Sequence, residues 1–277
     1  MNNVALIVNY DKDVKETLED LQNFLKGSAE VSVFSNRQNI PQKEFDLFIV
    51  LGGDGTMLGQ ARKLAKRGTP IAGIHCGNMG FLVEFTLTEF KKHWGNINKN
   101  PSFYVKKTPL LKAKIFSGLI GGKSDKDIGV VANDLVVTAG FPFRLIKCKV
   151  VVDGHSLVAT YRSDGLIVST PLGSTAHNLS AGGPIVHTDS NVICITPIAP
   201  HSLSMRSIVL GIESKIEIFF EEINDGTHVI IDGQEQHTSM NAGGSVLIER
   251  SSSEFIKLIN PSKDYWDVLR TKMSWDK

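Results

Sequence analysis

One carboxylate is set apart by its surroundings. Asp54 lies within Val50-Leu51-Gly52-Gly53-Asp54-Gly55-Thr56-Met57-Leu58, after an apolar run from Leu47 and before apolar positions at Met57, Leu58, Ala61, Leu64 and Ala65. The order strand, glycine turn, helix follows from that patterning. Gly52, Gly53 and Gly55 let a ligand approach the backbone, and with Thr56 they offer N–H groups to phosphate oxygens near a helix N-terminus. A carboxylate in such a cradle repels phosphate unless a divalent cation intervenes or the carboxylate takes a proton from an attacking hydroxyl. That conflict points to phosphoryl transfer. The competing reading is a tight turn with Asp54 capping its own helix.

A second dense stretch runs from Asp164 to Pro184, with Ser169, Thr170, Ser174, Thr175 and Ser180 among small neighbours and a Gly182-Gly183-Pro184 turn. A strand ending in such a loop presents hydroxyl and N–H groups to ribose, amide and phosphate. Gly77-Asn78-Met79-Gly80-Phe81-Leu82 is a further glycine turn, read either as lining the Asp54 crevice or as a connection with Phe81 and Leu82 in the core. No His-x-x-x-His or His-Glu-x-x-His spacing suggests a protein-held metal, and His75 and His201 read as turn or core residues.

These residues need a frame. Val4 to Val8, Val31 to Phe34, Leu47 to Leu51 and Pro70 to His75 suit buried strands. Val14, Leu18, Leu21 and Leu25 recur at helical spacing before a Gly27 stop, and a short helix from Thr88 to Trp94 closes this part before the polar Asn96 to Pro101. Alternating strands and helices predict a Rossmann-like parallel α/β domain over 1–108, whose ligands sit beyond the carboxyl ends of the strands. Past Pro109 the chain turns β-rich, with segments including Val130 to Thr138, Leu166 to Ser169, Val192 to Pro197, Val229 to Asp232, Val246 to Arg250 and Phe255 to Ile259, separated by turns such as Asp232-Gly233. This predicts an all-β sandwich over 109–261, with an exposed hairpin loop from Gly118 to Gly129. The tail is helical, with Tyr265, Trp266, Leu269 and Met273 able to share a face, and is expected to return to the first domain as residues 262–277.

With 30 basic and 29 acidic side chains, the net charge of +1 gives no global field for nucleic acid or membrane, so small molecules or copies of the same chain are the expected partners. Cys76, Cys148 and Cys194 form no Cys-x-x-Cys pair and read as reduced, buried thiols. Without a leader or an apolar run near ~18 residues, a cytoplasmic protein is expected.

Gly52-Gly53-Asp54-Gly55-Thr56, Asn133-Asp134, the stretch from Asp164 to Pro184, Thr196-Pro197-Ile198-Ala199-Pro200-His201-Ser202-Leu203-Ser204 and Asp232-Gly233-Gln234, in that order, resemble the NAD kinase family. The resemblance covers nearly the whole chain. It implies transfer of the ATP γ-phosphoryl group to the 2′-hydroxyl of the adenosine ribose of NAD, with a divalent cation, magnesium by preference, arriving on the nucleotide. By it Asp54 is the general base, with Gly55 in the phosphate cradle, and Asn133 and Asp134 hold ribose hydroxyls. Asp134 stands where the family carries a longer Glu. Arg144, Arg162 and Asp164 fall at polar contacts to the dinucleotide, and Thr175, Ala176, His177, Asn178, Leu179 and Ser180 match the central binding loop. His177 replaces the usual tyrosine, giving less stacking area and a charge that varies near neutral pH. Ala199 and Gln234 match family contacts, the former often lent by a neighbouring subunit, and the family implies a homodimer or homotetramer. Two alternatives stay open: a diacylglycerol- or sphingosine-type lipid kinase, which shares the Gly-Gly-Asp-Gly-Thr turn, and a non-catalytic NADP sensor.

Overall fold

The computed structural model describes residues 1–77, 80–117, 124–154, 156–233 and 237–275. It divides into two compact units, Met1–Thr108 with Glu254–Lys277, and Pro109–Ser253.

The first unit opens with β1 (Asn3–Val8), α1 (Lys15–Leu25), β2 (Glu30–Ser35), β3 (Leu47–Gly52), α2 (Asp54–Leu64), β4 (Ile71–His75) and α3 (Leu87–Lys99). The strands pair in parallel in the order β2-β1-β3-β4. β1 and β3 are central and read as continuous apolar runs, as strands covered on both faces must. Helix α3 is longer than the Thr88–Trp94 segment expected. Thr86 caps it through a reciprocal box with Glu89, and Ile97, fully buried, continues the face of Phe90 and Trp94, so the polar residues around Asn96 do not end it.

The second unit is built from β5 (Val105–Ser117), which enters it, then β6 (Ser124–Val131), β7 (Asp134–Thr138), β8 (Ile146–Val152), β9 (Ser156–Ser163), β10 (Gly165–Ser169), α4 (His177–Ser180), β11 (Val192–Ile198), β12 (Ile208–Gly211), β13 (Ile216–Glu222), β14 (His228–Ile231), β15 (His237–Ser239) and β16 (Ser245–Leu258). One antiparallel sheet carries β8, β9, β13, the start of β16, β5 and β6; the other runs β12-β11-β10-β7-β14-β15. Side chains from both sheets, among them Leu135, Val137, Val168 and Ile195 from one and Ile146, Val150, Ile218 and Ile248 from the other, make a single buried cluster. This is the sandwich the sequence predicts.

Three expectations change. The run Val130 to Thr138 is two strands, interrupted at Ala132-Asn133, because the N–H groups there bond a side chain instead of a neighbouring strand. Val246–Arg250 and the run from Phe255 to Leu258 are one strand, β16, with Ile259 just past its end, and its Lys257 pairs in parallel with Ile71 of β4. Part of the expected loop from Gly118 to Gly129 is strand, since β6 begins at Ser124; residues 118–123 lie outside the described residues. The chain closes with α5 (Tyr265–Met273), capped by Asp264, whose carboxylate accepts the Trp266 N–H at 2.8 Å. Its buried residues are Val268 and Leu269, while Trp266 is 54% exposed and does not share the packed face.

Candidate functional site

Asp54 is the first residue of α2, and Gly53 occupies the cap position with no side-chain cap. The carboxylate does not cap its own helix. It reaches the turn after β4, where Oδ2 accepts the Phe81 N–H at 2.7 Å and Oδ1 accepts those of Leu82 and Val83 at 3.0 and 3.1 Å. A carboxylate has about four lone-pair positions, so this leaves one on Oδ2. The close approach requires Gly80: a Cβ there would lie 2.0 Å from Oδ1 of Asp54. The glycine turn from Gly77 to Leu82 therefore does belong with Asp54, and Leu82 is also buried; Asn78 and Met79 lie outside the described residues.

The glycines of the Asp54 turn differ among themselves. Gly52 is demanded by the protein, since a Cβ would meet the Thr56 side chain at 2.8 Å, and Thr56 in turn accepts a hydrogen bond from Asn9 at 2.9 Å. Around Gly53 and Gly55 a Cβ would meet nothing within 4 Å, so the packing of the chain does not dictate glycine there.

The second unit holds a cavity of about 400 Å³ lined by Asn133, Asp134, Val136, Thr138, Ala176, His177, Ile230, Asp232 and Gly233. Its floor is the side of β7 and β14 opposite the core: Leu135, Val137, Val229 and Ile231 point into the sandwich, so Asp134, Val136, Thr138 and Ile230 face the other way. Asp232 organises one end. Its Oδ1 accepts the N–H groups of Asn133 and Asp134 at 2.7 and 3.0 Å, its Oδ2 accepts that of Ala132 at 3.0 Å, and its own N–H donates to the Asp134 carbonyl at 2.9 Å. Asp232 sits at φ +52°, a left-handed conformation that Asp tolerates better than most side chains. The opposite support is the turn after β10. Thr170 donates from its hydroxyl to the Ala132 carbonyl at 2.6 Å and from its N–H to the Asn133 carbonyl at 2.8 Å. Gly173 packs so closely that a Cβ would lie 2.2 Å from the Asn133 carbonyl oxygen.

Two polar groups in this cavity are left in costly states. Asn133 Oδ1 is buried without a hydrogen-bond partner among the described residues, a condition that costs about 1–3 kcal/mol unless something donates to it. Burial, with the neighbouring charge of Asp232 second, pushes the Asp134 carboxyl up to about 7. Asp134 is 4% exposed and Asp232 7%.

The other predicted contacts spread out. His177 is exposed, begins α4 and lines the cavity with Ala176; Thr175, Leu179 and Ser180 flank them without lining it. Asn178 is fully buried and spends its side chain on the protein, donating to the carbonyls of Ser174 and Pro184 at 3.1 and 3.0 Å and accepting from Thr196 at 2.7 Å. Arg162, Asp164 and Ala199 are exposed at the edge where β9 ends, β10 begins and β11 ends. Register brings that edge to the Thr138 end of the cavity, since Gly165 pairs with Thr138 and with Ile198. Arg144 is exposed in the loop after β7, and Gln234 lies outside the described residues. In the sequence Asp232 stands out as a turn residue and as the start of Asp232-Gly233-Gln234, without a role for its carboxylate. The usable signal was an Asp-Gly pair closing a strand, which marks a side chain able to bond backbone N–H groups.

Among the described residues no cluster of three or more His, Cys, Asp or Glu could hold a metal ion. The three cysteines are free; burial raises Cys148 to about 12 and Cys194 to about 11, which leaves both unreactive.

Comparison with known proteins bears on both units. The ATP-NAD kinase N-terminal domain family matches residues 3–101, and the ATP-NAD kinase C-terminal domain family matches residues 132–260. The chain is 37% identical to an NAD kinase of Clostridium botulinum, over 99% of this chain and 97% of that protein. It is also 37% identical to an NAD kinase of Geotalea daltonii, over 88% and 83% of the two chains. The fold is similar to the crystal structure of an NAD kinase from Archaeoglobus fulgidus in complex with ATP, with TM-score 0.77, 29% identity and 98% of both chains covered. It also resembles yeast NADH kinase complexed with NADH, at TM-score 0.86 over 100% of this chain and 89% of that one; the 22% identity there speaks to fold alone. With both domains matched and the identity sustained across almost the full length, the chain belongs to the NAD kinase family.

Proposed function

We propose that the protein is a phosphotransferase that moves the γ-phosphoryl group of ATP to the 2′-hydroxyl of the adenosine ribose of NAD, giving NADP and ADP. The observation that carries this reading is the Asp54 carboxylate, pinned by three backbone N–H groups with one lone pair of Oδ2 uncommitted. A ribose hydroxyl is a poor nucleophile, so holding it in place and removing its proton must supply much of the acceleration. In this reading the 2′-hydroxyl gives its proton to Asp54 Oδ2 as its oxygen bonds to the γ-phosphorus, and the bond to the ADP oxygen breaks. Gly53, Gly55 and Thr56, with the N-terminus of α2, cradle phosphate, and the room beside Gly53 and Gly55 supports this.

Asn133 and Asp134 hold ribose hydroxyls, and the unpartnered Asn133 Oδ1 supports a donor arriving from outside the chain. His177 and Ala176 contact the dinucleotide, with Thr175, Leu179 and Ser180 shaping the same loop. Asn178 acts by bracing that loop. Arg144, Arg162, Asp164, Ala199 and Gln234 contribute outer contacts. A divalent cation, magnesium by chemistry, comes bound to the triphosphate and neutralises charge on the transferred group.

No helix among the described residues is long and apolar enough to cross a membrane. We place the protein in the cytoplasm as a homodimer or homotetramer, which a mass measurement in solution tests. The decisive assay supplies purified protein with ATP, magnesium and either NAD or diacylglycerol. NADP is the expected product; phosphorylated lipid alone, or dinucleotide binding without turnover, would overturn the proposal.

A further inference from the structure

The turn that grips Asp54 is itself gripped. Lys263, just before α5, donates from Nζ to the carbonyl oxygens of Gly80 and Val83 at 3.2 and 2.8 Å. The Gly80 carbonyl and the Phe81 N–H are the two ends of one peptide group, and that N–H is the one 2.7 Å from Asp54 Oδ2. A cation on the carbonyl end of a peptide polarises it and strengthens donation from the N–H end.

Lys263 is held in turn. Its N–H bonds the Asn260 carbonyl at 3.0 Å, and Asn260, 3% exposed, donates from Nδ2 to the Glu84 carbonyl at 3.1 Å. Beside them Lys257 and Glu84 form an ion pair at 2.6 Å whose side chains are only 8% and 11% exposed. Removing one partner of a buried pair is costly, so Glu84 is a firm end point for the turn. The charged groups around Lys263 are Glu84, Lys257, Asp54 and Glu89; burial, reinforced by Lys257, pulls its ammonium below the usual lysine range, and the three carboxylates oppose this.

We propose that Lys263 is a positioning residue for Asp54: its ammonium bridges the Gly80 and Val83 carbonyls and so fixes the N–H groups that aim the carboxylate. Lys263 touches no reacting atom in this scheme. The inference rests on the reading of Asp54 as general base, and its test separates the two.

Lys263→Met keeps the length of the side chain and removes its donors. Kinetics with NAD and ATP are expected to show kcat lowered by about 10-fold or more, the scale of a misaligned catalytic group, with both KM values within about twofold. Amide hydrogen exchange, read without turnover, is expected to show Phe81, Leu82 and Val83 exchanging about 10-fold faster as their turn loosens. Lys263→Arg, which keeps charge and donors, should restore much of both. Should Lys263→Met fail to fold, Lys263→Leu, which also lacks donors, is read the same way. Unchanged exchange at 81–83 with unchanged kcat overturns the inference, as does a fall in kcat that Arg does not rescue and exchange does not accompany. Asp54→Asn is run alongside: if it retains turnover the base reading fails, and hydrogen exchange still decides whether Lys263 orders the turn.

Discussion

Asp54 in the first unit and Asp232 in the second are held in the same manner, each carboxylate accepting three successive backbone N–H groups: Phe81 to Val83 for one, Ala132 to Asn133 and Asp134 for the other. The outcome differs because the surroundings do. Around Asp54 the backbone serves the carboxylate, whose turn is backed by a lysine and whose own position is half-exposed beside open glycines. Around Asp232 the carboxylate serves the backbone. It is buried, and its bonds turn Asn133 and Asp134 into the cavity while its charge makes ionisation of Asp134 harder. On the proposed function, one arrangement prepares an acid–base group and the other builds a binding wall.

The sharpest break of this comparison is Asp54→Asn. Turnover is expected to fall by ~100-fold or more, the scale of lost general-base catalysis, with NAD affinity within a few-fold by calorimetry. A variant with near-normal turnover removes Asp54 from that role. Asp232→Ala should act in the opposite way, through structure and binding. Leaving three N–H groups without their acceptor costs about 1–3 kcal/mol for a buried one, so lower thermal stability and a weaker NAD KM are expected, with kcat at saturation less affected. If kcat falls and KM holds, the two aspartates do not have the different roles assigned to them.

Asp134 adds a dependence on pH. A carboxyl near 7 when folded and near 3.8 when unfolded keeps its proton in the folded protein where the unfolded chain has lost it, so stability falls as pH rises from about 4 and levels off above about 7. Asp134→Asn should flatten that part of the stability profile measured by denaturant titration. In binding the sign reverses, since the ionised form accepts from ribose hydroxyls: the NAD KM is expected to drop as pH rises through 7 in the parent and to vary less in Asp134→Asn. The smallest effect is expected of His177→Ala, a few-fold rise in the NAD KM with an unchanged circular dichroism spectrum; an unchanged KM would remove His177 from the proposed dinucleotide contacts.

Much of the frame was open to reading from sequence because its signals are local. Continuous apolar runs in Val4–Val8 and Leu47–Leu51 mark strands buried on both faces, and alternation in Ile146–Val152 marks one buried on a single face. Local pattern and structure part where a distant contact overrides the local signal. Helix α3 outran its polar residues because Ile97 found a core, and β16 held together because both its halves had partners. In the candidate site residue type marked Asp54, while Asn133 came only with the family resemblance. The sequence could not tell that Asn178 spends its amide internally, since Thr196 lies 18 positions away, nor that Trp266 points off the packed face of α5.

Composition and spacing alone determined that this chain alternates strand and helix and then turns to β-structure, and that a carboxylate sits among glycines at a helix start, because backbone propensity and hydrophobic period act over a few residues. Which N–H groups meet that carboxylate was decided only by the fold, which brings a turn 27 to 29 positions away onto it. The same holds for the Asp232 clamp, closed across 98 to 100 positions, and for the lysine behind the Asp54 turn, closed across 180 to 183. Hydrogen bonds and charges act at a few ångströms in space, and separation along the chain carries no record of which groups packing will make neighbours.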